Sequence, residues 1–128
     1  MNARLVLLLT HDHDFEKLLT KALRENSATV IATGDVGDAL QIVCTRGADL
    51  NLVVIDRDDC HGMTLLKAID MCRHELPIVV VTSSDTYHTA ALAYANGAAV
   101  CLAKPISGAE LEIVLRELHE PKLELTAA

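Results

Sequence analysis

Leu52-Val53-Val54-Ile55-Asp56 is an apolar run that ends on a carboxylate. A short run of branched and leucine side chains reads as a strand buried on both faces, the appearance of strands in a parallel sheet. Asp56 then stands at the carboxyl end of its strand. In open α/β sheets, ligands and chemistry collect just outside those ends. Asp is also an ordinary turn residue, so the other strand ends have to decide what Asp56 is for.

Outward from that run, the chain alternates between strand-like and helical patterns. Arg4 to Thr10, Ala28 to Thr33, Leu50 to Asp56, Ile78 to Thr82 and Ala99 to Ala103 read as strands. Between and after them run helical stripes. The first is Phe15, Leu18, Leu19, Ala22 and Leu23, with Asp12 or Asp14 as its cap and Asn26-Ser27 at its end. Val36, Ala39, Leu40, Val43 and Cys44 form the second, closed by Gly47. A polar loop from Arg57 to Gly62 precedes the third, Leu65, Leu66, Ile69 and Cys72. Ser83-Ser84-Asp85 precedes a fourth helix at Ala90 to Ala95, ended by Asn96-Gly97. Ser107 and Glu110 form a capping box for the last stripe, Leu111, Val114, Leu115 and Leu118. Strand–helix repetition predicts a doubly wound α/β fold with helices on both faces of a parallel sheet. For five strands the expected order is 2-1-3-4-5, the flavodoxin-like arrangement, with a crevice between the first and third strand ends.

The 128 residues fit one domain, expected over 1–120 with a frayed tail at 121–128. The core must be aliphatic, because Phe15, Tyr87 and Tyr94 are the whole aromatic complement. No run is long enough to span a membrane and no signal-peptide pattern leads the chain, so a cytoplasmic protein is expected. The net charge of −7 argues against a nucleic-acid partner, since phosphate contact needs a basic surface. Cys44, Cys72 and Cys101 fall in apolar contexts and are expected to be buried thiols, with Cys60 in a polar loop.

The strand ends bring Thr10-His11-Asp12, Asp56, Thr82 and Lys104 to one rim. A carboxylate, a hydroxyl and an ammonium in one crevice can handle a phosphoryl group, with Asp as the nucleophile and Lys and Thr holding oxyanions. A plain Asp56–Lys104 ion pair would not need the hydroxyl between them.

These residues resemble the receiver domain of two-component response regulators over essentially the whole chain. The resemblance implies a (βα)5 fold and makes Asp56 the phosphoacceptor, with Thr82 and Lys104, of Lys104-Pro105, contacting the phosphate. Three features depart from the family pattern. Thr10 and His11 stand where two adjacent acids normally hold Mg²⁺, and Asp12 falls one position later, where the side chain normally points to solvent. The loop before His61-Gly62 is short and lacks its proline. Cys101 replaces the aromatic switch of the fifth strand. Mg²⁺ is therefore expected to bind weakly, with Asp12, Asp56 and Asp58 as candidate ligands.

The resemblance implies a signalling module rather than an enzyme. We expect a stand-alone atypical receiver that works by protein–protein contact. A homodimer through the fourth helix, fifth strand and fifth helix is one form of that contact, and Ile113 lies off the buried stripe there. The alternative is a phosphorelay receiver taking its phosphoryl group from a histidine kinase. A third reading is a small-molecule or metal binder, with His11, His13, Cys60, His61 and Asp56 as a zinc-type set.

Overall fold

Alternating side chains along each strand build two cores, one on each side of a single sheet. The computed structural model describes residues 4–25, 27–57, 59–73, 75–83 and 87–119, without the side chains of Cys60, Tyr87 and His119. The strands are β1 (Arg4–Leu9), β2 (Ala28–Thr33), β3 (Leu50–Ile55), β4 (Ile78–Thr82) and β5 (Val100–Ala103). The helices are α1 (His13–Arg24), α2 (Val36–Arg46), α3 (Cys60–Cys72), α4 (Tyr87–Ala95) and α5 (Gly108–His119). All strand pairs are parallel, in the expected order β2-β1-β3-β4-β5.

Leu7, Leu9, Val53, Ile55, Ile78 and Val80 face α2, α3 and α4, where Val43, Leu66, Ile69 and Ala93 meet them. Val6, Leu8, Leu52, Val54, Val79 and Val81 face α1 and α5, where Phe15, Leu19, Leu111 and Leu115 close the second core. Leu52 to Ile55 are at most 1% exposed, so each side chain contributes roughly 1.5–3 kcal/mol by leaving water. The β1–β3 register slips between Leu5 and Val6. There the Asn51 side chain accepts the Leu5 backbone N–H at 2.8 Å, which satisfies the donor the slip would orphan. β5 lies at the sheet edge with all four residues half-buried. No helix among the described residues is long and apolar enough to cross a membrane.

Local chemistry sets the ends of the helices. Asp12, Asp35 and Asp59 cap α1, α2 and α3 through their carboxylates, and Ser107 Oγ accepts the Glu110 N–H at 3.1 Å. Gly97 follows α4 at φ +112°, a backbone region that favours glycine.

Several expectations need correction. Cys60, His61 and Gly62 are not loop but the first turn of α3, because Asp59 accepts the Gly62 N–H at 3.0 Å. A Cβ at Gly62 would overlap the Arg57 carbonyl oxygen, so the chain can turn this sharply only with glycine. Gly47 is right-handed (φ −57°) and runs α2 into a 3-10 turn at Gly47–Asp49 instead of a left-handed stop. α4 begins at Tyr87 rather than Ala90, while Ser84, Asp85, Asn26 and the tail 121–128 lie outside the described residues. Cys44 and Cys72 are exposed and Cys101 is half-buried. The α2 stripe runs through Ala39 and Val43, which turns Cys44 and the 37% exposed Leu40 outward. Cys72 is the last residue of α3.

Candidate functional site

Parallel strands end side by side, so residues just past β1, β3 and β5 meet at one edge. The Asp56 N–H donates to the Leu9 carbonyl at 2.8 Å, the Thr10 N–H to Thr33, and the Lys104 N–H to Thr82. These backbone bonds carry the sheet ladder one residue past the strands and fix Thr10, Asp56 and Lys104 in place.

Thr10 is nearly buried, at 7% exposure. Its hydroxyl donates to Asp56 Oδ2 at 2.6 Å and accepts the Asp12 N–H at 2.9 Å. Lys104 Nζ lies 2.9 Å from the same Asp56 Oδ2 and 2.8 Å from Asp12 Oδ2. The Phe15 ring lies 5.1 Å from Nζ, within cation–π range. The Asp56 side chain is 8% exposed. Its Oδ1 accepts no hydrogen bond among the described residues.

Asp12 departs from the expectation that it would point to solvent. As the cap of α1 it spends Oδ1 on the N–H groups of Asp14 and Phe15. That places Oδ2 on Lys104. The Lys104 hydrogen bond, then the Phe15 N–H, hold the Asp12 carboxyl below its usual range. Burial pulls the Lys104 pKa down, but hydrogen bonds to Asp12 and Asp56 outweigh it and the pKa is raised overall.

Asp56, Asp12, Lys104, His11, Arg57, Asp59, Val81 and Ser83 line a cavity of about 350 Å³. Arg57 and Asp59 were not singled out from the sequence. Their signals were weak: a basic residue directly after Asp56, and an Asp placed to cap a helix. Arg57 Nε lies 2.9 Å from Asp59 Oδ2, and Nη2 lies 3.2 Å from His61 Nδ1. The Gly62 N–H, then Arg57, depress the Asp59 carboxyl. Thr82, expected from the resemblance to contact the phosphate, is 3% exposed and is not among the residues that line the cavity, although its neighbours Val81 and Ser83 are. The His11 ring leans on Gly34, with Cε1 2.8 Å from where a Cβ would stand.

Mg²⁺ needs near-octahedral oxygen ligands and is usually held through one or two carboxylates. Thr10 and His11 supply a hydroxyl and an imidazole where the resemblance implies two acids. That hydroxyl is already engaged on both sides, and Asp12 and Asp56 share one ammonium. The described residues do not fit the ion; Asp58 lies outside them. Nor do they support the zinc-type set. His13 is 90% exposed and lies 3.8 Å from Glu16, His61 faces Arg57 and Asp59, and the Cys60 side chain lies outside the described residues. Among the described residues no group of His, Cys, Asp or Glu is gathered to hold a metal.

Comparison with known proteins agrees with this fold. The model of the response regulator receiver domain matches residues 6–116. The DNA-binding transcriptional regulator NtrC of Azospirillum brasilense is 30% identical over 120 residues, covering 93% of this chain and 25% of that protein. The chain therefore spans about a quarter of the length of the curated relatives it matches. Among solved structures, HP1043, an orphan response regulator of H. pylori, superposes with a TM-score of 0.82 at 19% identity, covering 91% of this chain and 97% of that one. The receiver domain of NtrX from Brucella abortus superposes at 0.78 with 24% identity, covering 91% and 99%. The chain belongs to the response regulator receiver domain family.

Proposed function

We propose that this chain is a cytoplasmic receiver module of two-component signal transduction, with Asp56 as its phosphoacceptor and a protein as its output partner. One observation carries the reading. Thr10 and Lys104 both hold Oδ2 of Asp56, and Oδ1 of a carboxylate that lines the cavity is left without a hydrogen bond. An oriented carboxylate with one open oxygen is poised as a nucleophile toward phosphorus. Lys104 is placed to hold a phosphoryl oxygen once it is there. The donor would be a histidine kinase. The chain receives a group and passes on a conformational signal; we read it as a signalling module and not as an enzyme or a nucleic-acid binder.

Contact through α4, β5 and α5 suits the output, with a second copy of this chain as one partner. Leu92, Tyr94 and Ile113 are 43%, 50% and 54% exposed on the two helices. Tyr94 Oη accepts the Cys101 N–H at 3.1 Å, at the β5 position where the family carries an aromatic switch. Cys101 has too little volume to act as that lever, so we expect a weak response on this face.

Intact-mass spectrometry after incubation with phosphoramidate tests the assignment. We expect the mass of one phosphoryl group in the wild type and none in Asp56→Asn. Label that survives Asp56→Asn would move the acceptor elsewhere.

A further inference from the structure

We propose that Asp56 accepts a phosphoryl group without a divalent cation, because side chains of this chain already stand where a metal's charge would be needed. The inference rests on the reading of Asp56 as phosphoacceptor. Replacing two acids by Thr10 and His11 removes two negative charges. A divalent cation brings two positive charges, so these two losses cancel; the Asp12 carboxylate drawn onto Lys104 then leaves the site one charge more negative, which puts the demand on its cations.

Two cations of this chain face that charge. Lys104 is a single positive centre bridging Asp12 and Asp56 at 2.8 and 2.9 Å. A metal between these carboxylates would have to displace an ammonium that both hold. Arg57 lines the same cavity. Its Nε serves Asp59 and its Nη2 faces His61, while Nη1 makes no hydrogen bond among the described residues. Arginine donors in a fixed planar fork suit phosphoryl oxygens. Thr10 does the orienting that a metal-bound carboxylate would otherwise receive, by holding Oδ2 at 2.6 Å.

With phosphoramidate the step balances without a metal. Asp56 Oδ1 forms the new bond to phosphorus as the phosphorus–nitrogen bond breaks. The nitrogen, already protonated in the zwitterionic donor, leaves as ammonia. The carboxylate's single negative charge becomes the two of the acyl phosphate, against Lys104 and the free edge of Arg57.

The test compares wild-type labelling rates by phosphoramidate in excess EDTA and in millimolar Mg²⁺, read by acid-quenched intact mass. We expect the two rates to agree within about twofold. Arg57→Gln should lower the rate in EDTA by about tenfold, a loss of roughly 1.4 kcal/mol of transition-state stabilisation, and Arg57→Lys should recover part of it. A rate that Mg²⁺ raises tenfold or more would overturn the inference and leave Asp56 as acceptor. Loss of that acceleration in Asp58→Asn would then assign the ion to Asp58. An Arg57→Gln rate equal to wild type would remove Arg57 from the account. No label in either condition would overturn the reading of Asp56 itself, and the inference with it.

Discussion

Putting the missing acids back is the perturbation that reaches furthest into this site. In Thr10→Asp with His11→Asp, a carboxylate replaces a hydroxyl that lies 2.6 Å from Asp56 Oδ2 and is only 7% exposed. Two carboxylates about 4 Å apart repel by roughly 4 kcal/mol at an effective dielectric near 20. Protonation sets a ceiling: lifting an Asp from about 3.9 past neutrality costs about 4 kcal/mol at pH 7 and about 1.5 kcal/mol at pH 5. Lys104 offsets part of this, so we expect a loss of about 3 kcal/mol at pH 7, or roughly 10–15 °C in melting temperature for a domain of this size. The sign follows from linkage. The new carboxyl has a folded pKa above its unfolded value, so the deficit exists at neutral pH and fades as pH falls toward 4. Mg²⁺ should then stabilise the variant, by about 2.7 kcal/mol at a hundred times its dissociation constant, and should barely move the wild type. Melts at pH 7 and pH 5, in EDTA and in Mg²⁺, read all four quantities, and phosphoramidate labelling should be strongly Mg²⁺-dependent in the variant alone. A variant as stable as wild type in EDTA, or a wild type that Mg²⁺ stabilises equally, would refute the reasoning.

Other perturbations probe the same frame. Asp12 and Asp59 have depressed carboxyls, so the stability they contribute is present above pH 3.8 and is lost as pH falls through their lower folded values; urea midpoints across pH 2–6 should show Asp12→Asn blunting that acid limb. Lys104 is raised above 10.5, so its contribution is complete at neutral pH and is lost only in strong alkali. Lys104→Met leaves the 8% exposed Asp56 without its cation and should cost about 2–4 kcal/mol at pH 7 by urea midpoint. Gly62→Ala drives a methyl into the Arg57 carbonyl and should cost about 1–3 kcal/mol by denaturant midpoint. Tyr94→Phe removes the acceptor of the Cys101 N–H; stability should fall by less than about 1 kcal/mol, while amide exchange at Cys101 quickens.

What could be read from the sequence follows from how each feature is encoded. The sheet order was legible because uninterrupted apolar runs and capped stripes are local patterns, and right-handed crossovers leave few ways to connect them. Asp56 and Lys104 were legible for the same reason: each directly follows such a run. Cys44 was misjudged because an apolar residue beside a stripe differs from one on it by a single helical step. Asp12 shows the limit most clearly. The sequence offered it as a cap of α1, correctly, and as a metal ligand or a solvent-facing side chain, but did not show that the cap would aim its second oxygen inward. One oxygen must satisfy the N–H groups of Asp14 and Phe15, and that geometry delivers the other to Lys104, 92 residues away. Arg57 stayed hidden likewise, because its placement depends on Asp59 capping α3 and Gly62 letting the chain approach. Asp12 and Arg57 thus owe their directions to helix caps. Removing the α1 cap by Asp12→Ala should therefore change the phosphoramidate labelling rate read by intact mass, because Lys104 loses a partner and Asp56 keeps the whole ammonium, whereas Asp35→Ala at the α2 cap should leave that rate unchanged.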